Sequence, residues 1–233
     1  MPKKITINGR NVADVYCRKN DKTVRMLIKD FRQGYARLEK FFQFRIPKVT
    51  IRLLYSRQQF NELAKKETPM WVVGWAKNND VYVLSPSACR AHSCHTAAHM
   101  RKVLVHEVAH IFIRKVNSFP AKWLDEGLAL VLAEQNKGQF SKENWEWFKR
   151  QNFIVNVKFD WWKAAKRNGY SISCWFVKFL LREYGREMVM RFLQVSPQKG
   201  KPAAQFREIL GRSHRELEKE FEGAGNFAKM RAK

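Results

Sequence analysis

AAHMRKVLVHEVAHIFIRK, residues 97–115, is the stretch on which the reading turns. Its apolar residues, from Val103 through Ile113, spread over most faces of a helix, and a helix that is apolar on most faces is a buried one. Inside it, residues 106–110 read His-Glu-Val-Ala-His. Positions four apart on an α-helix lie about 40° apart around the axis, so His106 and His110 project from one face. Two imidazole nitrogens placed that way can both reach one zinc ion at about 2.0–2.1 Å. Glu107 sits beside them, placed to act as general base on a zinc-activated water. A chain of this composition contains such a pattern by chance roughly 0.01 times. The competing explanation is a pair of core histidines beside a solvated glutamate. Leu104, Val105, Val108 and Ile111 crowd Glu107, however, and a carboxylate there is costly without a metal or a donor.

A catalytic zinc ion keeps three protein ligands and one open position. One known layout places Gly three and His six residues after the second histidine; here those positions are Ile113 and Val116, so that layout fails. The later histidine, His214, is remote in sequence. A returning carboxylate is the better candidate. Residues 123–129 read Trp-Leu-Asp-Glu-Gly-Leu-Ala, and Glu126 follows His110 by 16 positions, enough for a turn and a second helix. Asp125 is its local competitor.

Upstream, residues 1–24 are polar and basic, with a short alternating piece at Ile5 and Ile7. A helical period covers Val24 to Phe44 and stops before Pro47. Lys48 to Tyr55 alternates as a strand, and Gln58 to Lys66 reads as a short helix. Trp71 to Ala76 and Val81 to Leu84 read as strands joined by a turn at Lys77-Asn78-Asn79-Asp80. Downstream, helices are expected at Trp123–Gln135, Asn144–Arg150, Asp160–Arg167, Ser171–Tyr184 (stopped by Gly185), Glu187–Val195, Ala203–Leu210 and His214–Glu222, the last capped by Ser213. The expected class is α+β: a small, mostly antiparallel sheet followed by a helical body. Residues 1–44 form a basic segment and helix, 45–222 the main domain, and 223–233 a basic tail. The stretch Pro197–Pro202 is the most linker-like in composition.

The chain has 233 residues, 45 Lys+Arg against 21 Asp+Glu, a formal net charge of +24 and a pI near 10.2. Such a surface attracts polyanions, with nucleic acid, anionic membrane and acidic protein as the classes to weigh. No apolar run reaches the roughly 20 residues that span a bilayer, and no signal-type stretch opens the sequence. Four cysteines, Cys17, Cys89, Cys94 and Cys174, are too scattered for a disulfide scaffold. Together these point to a cytoplasmic protein without membrane insertion.

The pair of segments His-Glu-Val-Ala-His and Trp-Leu-Asp-Glu-Gly-Leu-Ala resembles the gluzincin metallopeptidases, and most of all the peptidase-like domains related to aminopeptidase N and thermolysin. The likeness extends loosely over residues 45–222, but only the two zinc segments are specific. It implies a zincin-like fold and a hydrolase that binds one catalytic Zn2+. It implies that Glu126 completes a ligand set with His106 and His110, that Glu107 is the base, and that the substrate is a protein or peptide. A tyrosine near the start of a following helix stabilises the oxyanion in relatives, which here points to Tyr170; a packing role competes. Relatives bind substrate backbone along an outer strand, here Val81 to Ser85 or Val73 to Ala76. Where many relatives carry an acidic residue four positions after the third ligand, this chain has Leu130. No amine-anchoring motif precedes the zinc helix, so endopeptidase and exopeptidase activity stay equally open.

Two further features compete with plainer explanations. Cys89, His92, Cys94, His95 and His99 bring five soft donors into 11 residues, suiting a second metal, a thiol that caps the zinc, or ordinary structural roles. His99 lies two turns before His106 on nearly the same face. Residues 145–167 interleave Trp145, Trp147, Phe148, Phe153, Phe159, Trp161 and Trp162 with lysines and arginines, as a base-stacking surface would, although aromatics at helical spacing are more often core. With the basic N-terminus, this gives the alternative function: a nucleic-acid-binding module with a structural or vestigial zinc site. A combined form has the basic surface bring the peptidase to nucleic acid.

Overall fold

A computed structural model of the chain describes residues 1–135, 138–156, 159–195 and 202–226. The class is α+β: among the described residues, a five-stranded sheet and ten helices. The chain divides into two compact units, residues 1–112 with 132–135, and residues 113–131 with 136–233.

The first unit is built on the sheet. Strands β1 (Lys3–Ile7), β2 (Arg10–Tyr16), β3 (Val49–Leu54), β4 (Gly74–Lys77) and β5 (Asp80–Leu84) lie in the order β1-β2-β3-β5-β4. The sheet is mixed rather than mostly antiparallel: β1/β2 and β4/β5 pair antiparallel, β2/β3 and β3/β5 parallel. The physical reason is α1 (Val24–Phe42), which is long enough to carry the chain back across the sheet, so β3 re-enters beside β2 in the same direction. Residues 1–44, expected to stand apart from the domain beginning at 45, therefore supply two of the five strands. The two hairpins close at asparagines in the left-handed region. Asn8 (φ 49°) and Gly9 (φ 76°) join β1 to β2, and Asn78 (φ 54°) lies between β4 and β5.

One face of the sheet is apolar. Ile5, Val12, Val15, Val49, Ile51, Val81 and Val83 are all buried, as are Val24, Leu27, Phe31, Tyr35 and Leu38 of α1. α1 ends at Gln43, in a left-handed turn (φ 59°) whose N–H donates to the Glu39 carbonyl, four residues before Pro47. Against α1 lies α4 (Ala97–Val116), one continuous helix that begins in the first unit and ends in the second. The two helices approach closely at Gly34, where a β-carbon would lie 2.6 Å from Val105 Cγ1. Phe112 packs on Tyr35, Phe42 and Phe44, with ring centroids 5.3–5.6 Å apart. α2 (Arg57–Ala64), capped by Ser56, and the short α3 (Cys89–His92) complete this unit.

The second unit is a helical body: α5 (Lys122–Leu132), α6 (Lys142–Arg150), α7 (Trp161–Lys166), α8 (Gly169–Val195), α9 (Pro202–Leu210), α10 (His214–Phe221) and a π-helical turn at Glu222–Asn226. The boundary drawn at Gly185 is present inside α8 as a break with φ 76° and ψ 175°. Ser213 caps α10 in a reciprocal box with Glu216. The stretch 196–201 and most of the tail, 227–233, lie outside the described residues. The core is aromatic: Trp123, Trp145, Phe148, Phe153, Phe176, Phe179 and Phe221 are all at most 2% exposed and pack mostly edge-on. Trp145, Phe148 and Phe153 are therefore core, as their helical spacing favours, and the competing stacking surface over 145–167 is not assembled from them. No helix among the described residues is long and apolar enough to cross a membrane.

One acid in this body is out of place. Glu218 on α10 is 7% exposed, and its Oε1 meets no donor. Burial pushes its carboxyl up to about 7, Glu222 and Glu146 adding to the effect and Lys149 and Arg215 opposing it. The folded state thus holds this proton more tightly than the unfolded chain does. Its contribution to stability is full below about pH 4.5 and lost as pH rises through about 7. Glu218→Gln is expected to raise the melting temperature at pH 8 by a few degrees while changing it little at pH 4.5. An equal shift at both pH values would show that protonation of this carboxyl is not what costs stability.

Candidate metal centre

α4 is buried along its central turns, from Val103 to Ile113, which is why two histidines and a glutamate there leave water almost entirely. His106 is 8% exposed and His110 is 4% exposed. Their rings meet edge-on, with centroids 4.8 Å apart, and the two Nε2 atoms are 3.1 Å apart. Two nitrogens bound at about 2.0–2.1 Å in a tetrahedral shell stand about 3.3 Å apart. The helix thus sets both imidazoles at nearly the separation that one zinc ion demands.

Glu126 belongs to α5, which starts after Pro120 and carries Asp125 in its first turn, where a negative charge suits the helix dipole. Glu126 is 6% exposed. Among the described residues, His106, His110 and Glu126 are the group of side chains that converge as metal donors, each offering one ligand atom and all within 4.8 Å of one another. That span exceeds a tetrahedral edge, so the three atoms must draw together by an ångström or so to grip an ion. Lys122, one turn earlier, holds Glu126 Oε1 at 2.8 Å and Asp125 Oδ2 at 3.1 Å. Burial pulls the Lys122 ammonium down, but the two carboxylates outweigh it and the net shift is upward. Asp125, the competing ligand, stands outside the convergent group and pairs with Lys122.

α5 is seated by a glycine. A β-carbon at Gly127 would lie 2.6 Å from the Ser173 carbonyl oxygen and 2.6 Å from Val177 Cγ2 on α8. Backbone cannot yield that distance, so Gly127→Ala is expected to push the two helices apart and cost about 1–3 kcal/mol of stability by denaturant unfolding. A variant as stable as the parent would remove this packing argument. Tyr170 lies one turn before Ser173, half-buried, with its ring edge-on to Trp161 at 5.2 Å.

Glu107 is 8% exposed and lies against the backbone of β4. A β-carbon at Gly74 would stand 2.7 Å from Glu107 Cγ and 2.8 Å from its Cδ, so only glycine leaves room for the carboxylate in this position. β4 is the edge of the sheet and pairs with β5 alone, whereas β5 is enclosed between β3 and β4. Of the two expected rim strands, the free edge is therefore on β4 and not on Val81–Ser85, because an interior strand has no unpaired backbone to offer.

The Cys89–His99 cluster does not converge. Cys89 is buried, with its thiol 3.0 Å from Ser93 Oγ and 2.8 Å from the His95 carbonyl. His95 and His99 stack at 4.4 Å, and His95 Nε2 meets the Trp71 carbonyl at 2.8 Å. Arg57 ties the same region together, with its guanidinium donating to the carbonyls of His92, Met70 and Val72 and to Thr68 Oγ1. These contacts are architectural.

Sequence reading missed Lys122 and Gly74. Lys122 had a signal, the i,i+4 spacing to Glu126. Gly74 had a weaker one, a glycine inside a strand, which often marks close approach by another group. Two imidazoles and one carboxylate are a donor set that suits a zinc ion. No protein-family model matches the chain, and no curated protein matches it either.

Proposed function

We propose that the chain is a zinc-dependent peptidase of gluzincin type on a zincin-like fold, hydrolysing peptide bonds in a protein or peptide substrate. The observation that carries this reading is the convergence of His106, His110 and Glu126 within 4.8 Å, beside a buried Glu107. In the proposed site these three residues hold one Zn2+. That ion supplies Lewis-acid polarisation of the scissile carbonyl and makes water more acidic.

The remaining work falls to the chain. Substrate backbone adds along the free edge of β4, antiparallel pairing fixing its register next to Gly74. Glu107, held against that same strand, takes a proton from the attacking water and passes it to the amide nitrogen as the C–N bond breaks. The products are a carboxylate and a free amine. Lys122 positions Glu126 through the 2.8 Å ion pair. Tyr170 is the proposed oxyanion donor, and Tyr170→Phe, which removes only the hydroxyl, is the variant that tests it. The cysteines are free thiols, in keeping with a cytoplasmic, reducing setting.

The test combines metal analysis of the purified protein with digestion of casein or a peptide library. One zinc per chain and hydrolysis abolished by a chelator and restored by zinc are expected. A metal-free protein, or cleavage indifferent to the chelator, would overturn the assignment.

A further inference from the structure

The face of the sheet turned away from the core carries a row of side chains that the sequence scatters over sixty residues. Register pairs Tyr16 with Arg52, Arg52 with Tyr82, and Tyr82 with Trp75, so these four stand side by side across β2, β3, β5 and β4. The next row pairs Lys4, Asp14, Thr50, Asp80 and Lys77 in the same way. The alternate residues Val15, Ile51, Val81 and Ala76 are buried on the other face. Tyr16 is 41% exposed, Arg52 is exposed, and Tyr82 and Trp75 are half-buried. The Arg52 guanidinium lies over the Tyr16 ring at 4.7 Å, and the Trp75 and Tyr82 rings lie 6.5 Å apart.

On the solvent side of a sheet, a ring as exposed as Tyr16 in line with the half-buried Tyr82 and Trp75 marks a binding surface. Their chemistry narrows the partner. The row holds no aliphatic side chain, as a protein-docking patch would; its rings alternate with a cation. Lys4 and Lys77 flank it, and Asp14 is neutralised by Lys48 at 2.6 Å. The whole chain carries a formal charge of +24, which favours a polyanion as partner. A polyanion that also offers flat π-faces is a nucleic acid. In a duplex those faces are stacked away, so the rings can reach them only in a single strand. Across three strand spacings the row spans about 14 Å, enough for two or three splayed bases.

We propose that the outer face of the sheet is a single-stranded nucleic-acid platform, with bases stacked on Tyr16, Tyr82 and Trp75 and phosphates held by Arg52, Lys4 and Lys77. The platform is independent of the metal centre and stands whether or not the peptidase reading does. On β4 the two sites share one strand: Gly74 turns to Glu107, and Trp75, the next residue, turns to the opposite face.

The test is fluorescence anisotropy of the whole protein with labelled twelve-nucleotide oligo-dT and oligo-U, beside a duplex of equal length, at rising salt. Binding to the single strands over the duplex, weakening as salt rises and quenching tryptophan emission, is expected. The variant Tyr16→Ser/Tyr82→Ser/Trp75→Ser keeps every cation and is expected to bind at least about tenfold more weakly. Should that variant fail to fold, Tyr16→Ser alone, at the most exposed ring, is expected to lose several-fold affinity with an unchanged circular-dichroism spectrum. Unchanged affinity in the folded variant, preference for the duplex, or preference for phosphatidylserine vesicles over oligonucleotide would overturn the proposal.

Discussion

Replacing Glu107 by glutamine is expected to leave one zinc per chain while hydrolysis falls by about 10²- to 10⁴-fold. The amide has the shape of the carboxylate, so its Cγ and Cδ keep their place against Gly74. It cannot take up a proton from water. Because the amide matches the carboxylate in shape, the variant is expected to stay folded and to melt near the parent, which separates lost chemistry from lost fold. Metal content by mass spectrometry and turnover of a cleaved peptide are the two readouts. Full activity would strip Glu107 of its role as base; loss of the metal would make it a ligand instead.

Gly74→Val carries the second-largest effect and comes from the opposite side of the same contact. Valine suits a strand, so β4 is expected to form. Its β-carbon, however, would need the space now filled by the Glu107 carboxylate, 2.7 Å from Cγ and 2.8 Å from Cδ. The long, flexible glutamate must yield before the backbone does, and the base swings out of line. A displacement of about 1 Å at a reacting group costs about 10²-fold in rate. The loss is expected in kcat, with zinc content unchanged because His106, His110 and Glu126 are all retained. Gly74→Ala is expected to show the same loss in milder form. A valine variant with normal kcat would mean that Glu107 works from another position.

The elements that sequence periodicity located well are those whose side chains sort by a single period. α4 and α1 begin within a residue of their expected starts, and Ser213 caps α10 as its spacing to Glu216 implies. His106 and His110 were legible because one helix turn alone sets their relation. The parallel pairing of β2 with β3 was not, since it depends on where α1 returns the chain rather than on any local pattern. The β1–β2 hairpin carried its own sign, Asn8-Gly9, but the irregularity between Ile5 and Thr6 breaks the alternation that would have drawn attention to it. Over residues 145–167 helical spacing favours core above base stacking, and packing does take Trp145 and Phe148 inside. The outer-face aromatic row lies elsewhere, in the exposed Tyr16 and the half-buried Trp75 and Tyr82, and only strand register assembles it.

Zinc K-edge X-ray absorption on the protein loaded with one equivalent of zinc reads the ligand shell itself. Two imidazole nitrogens and a carboxylate oxygen at about 2.0–2.2 Å, with a light fourth scatterer, are expected, and Glu126→Ala should remove one oxygen from the shell. Sulfur scatterers near 2.3 Å, or a shell unchanged by Glu126→Ala, would contradict it.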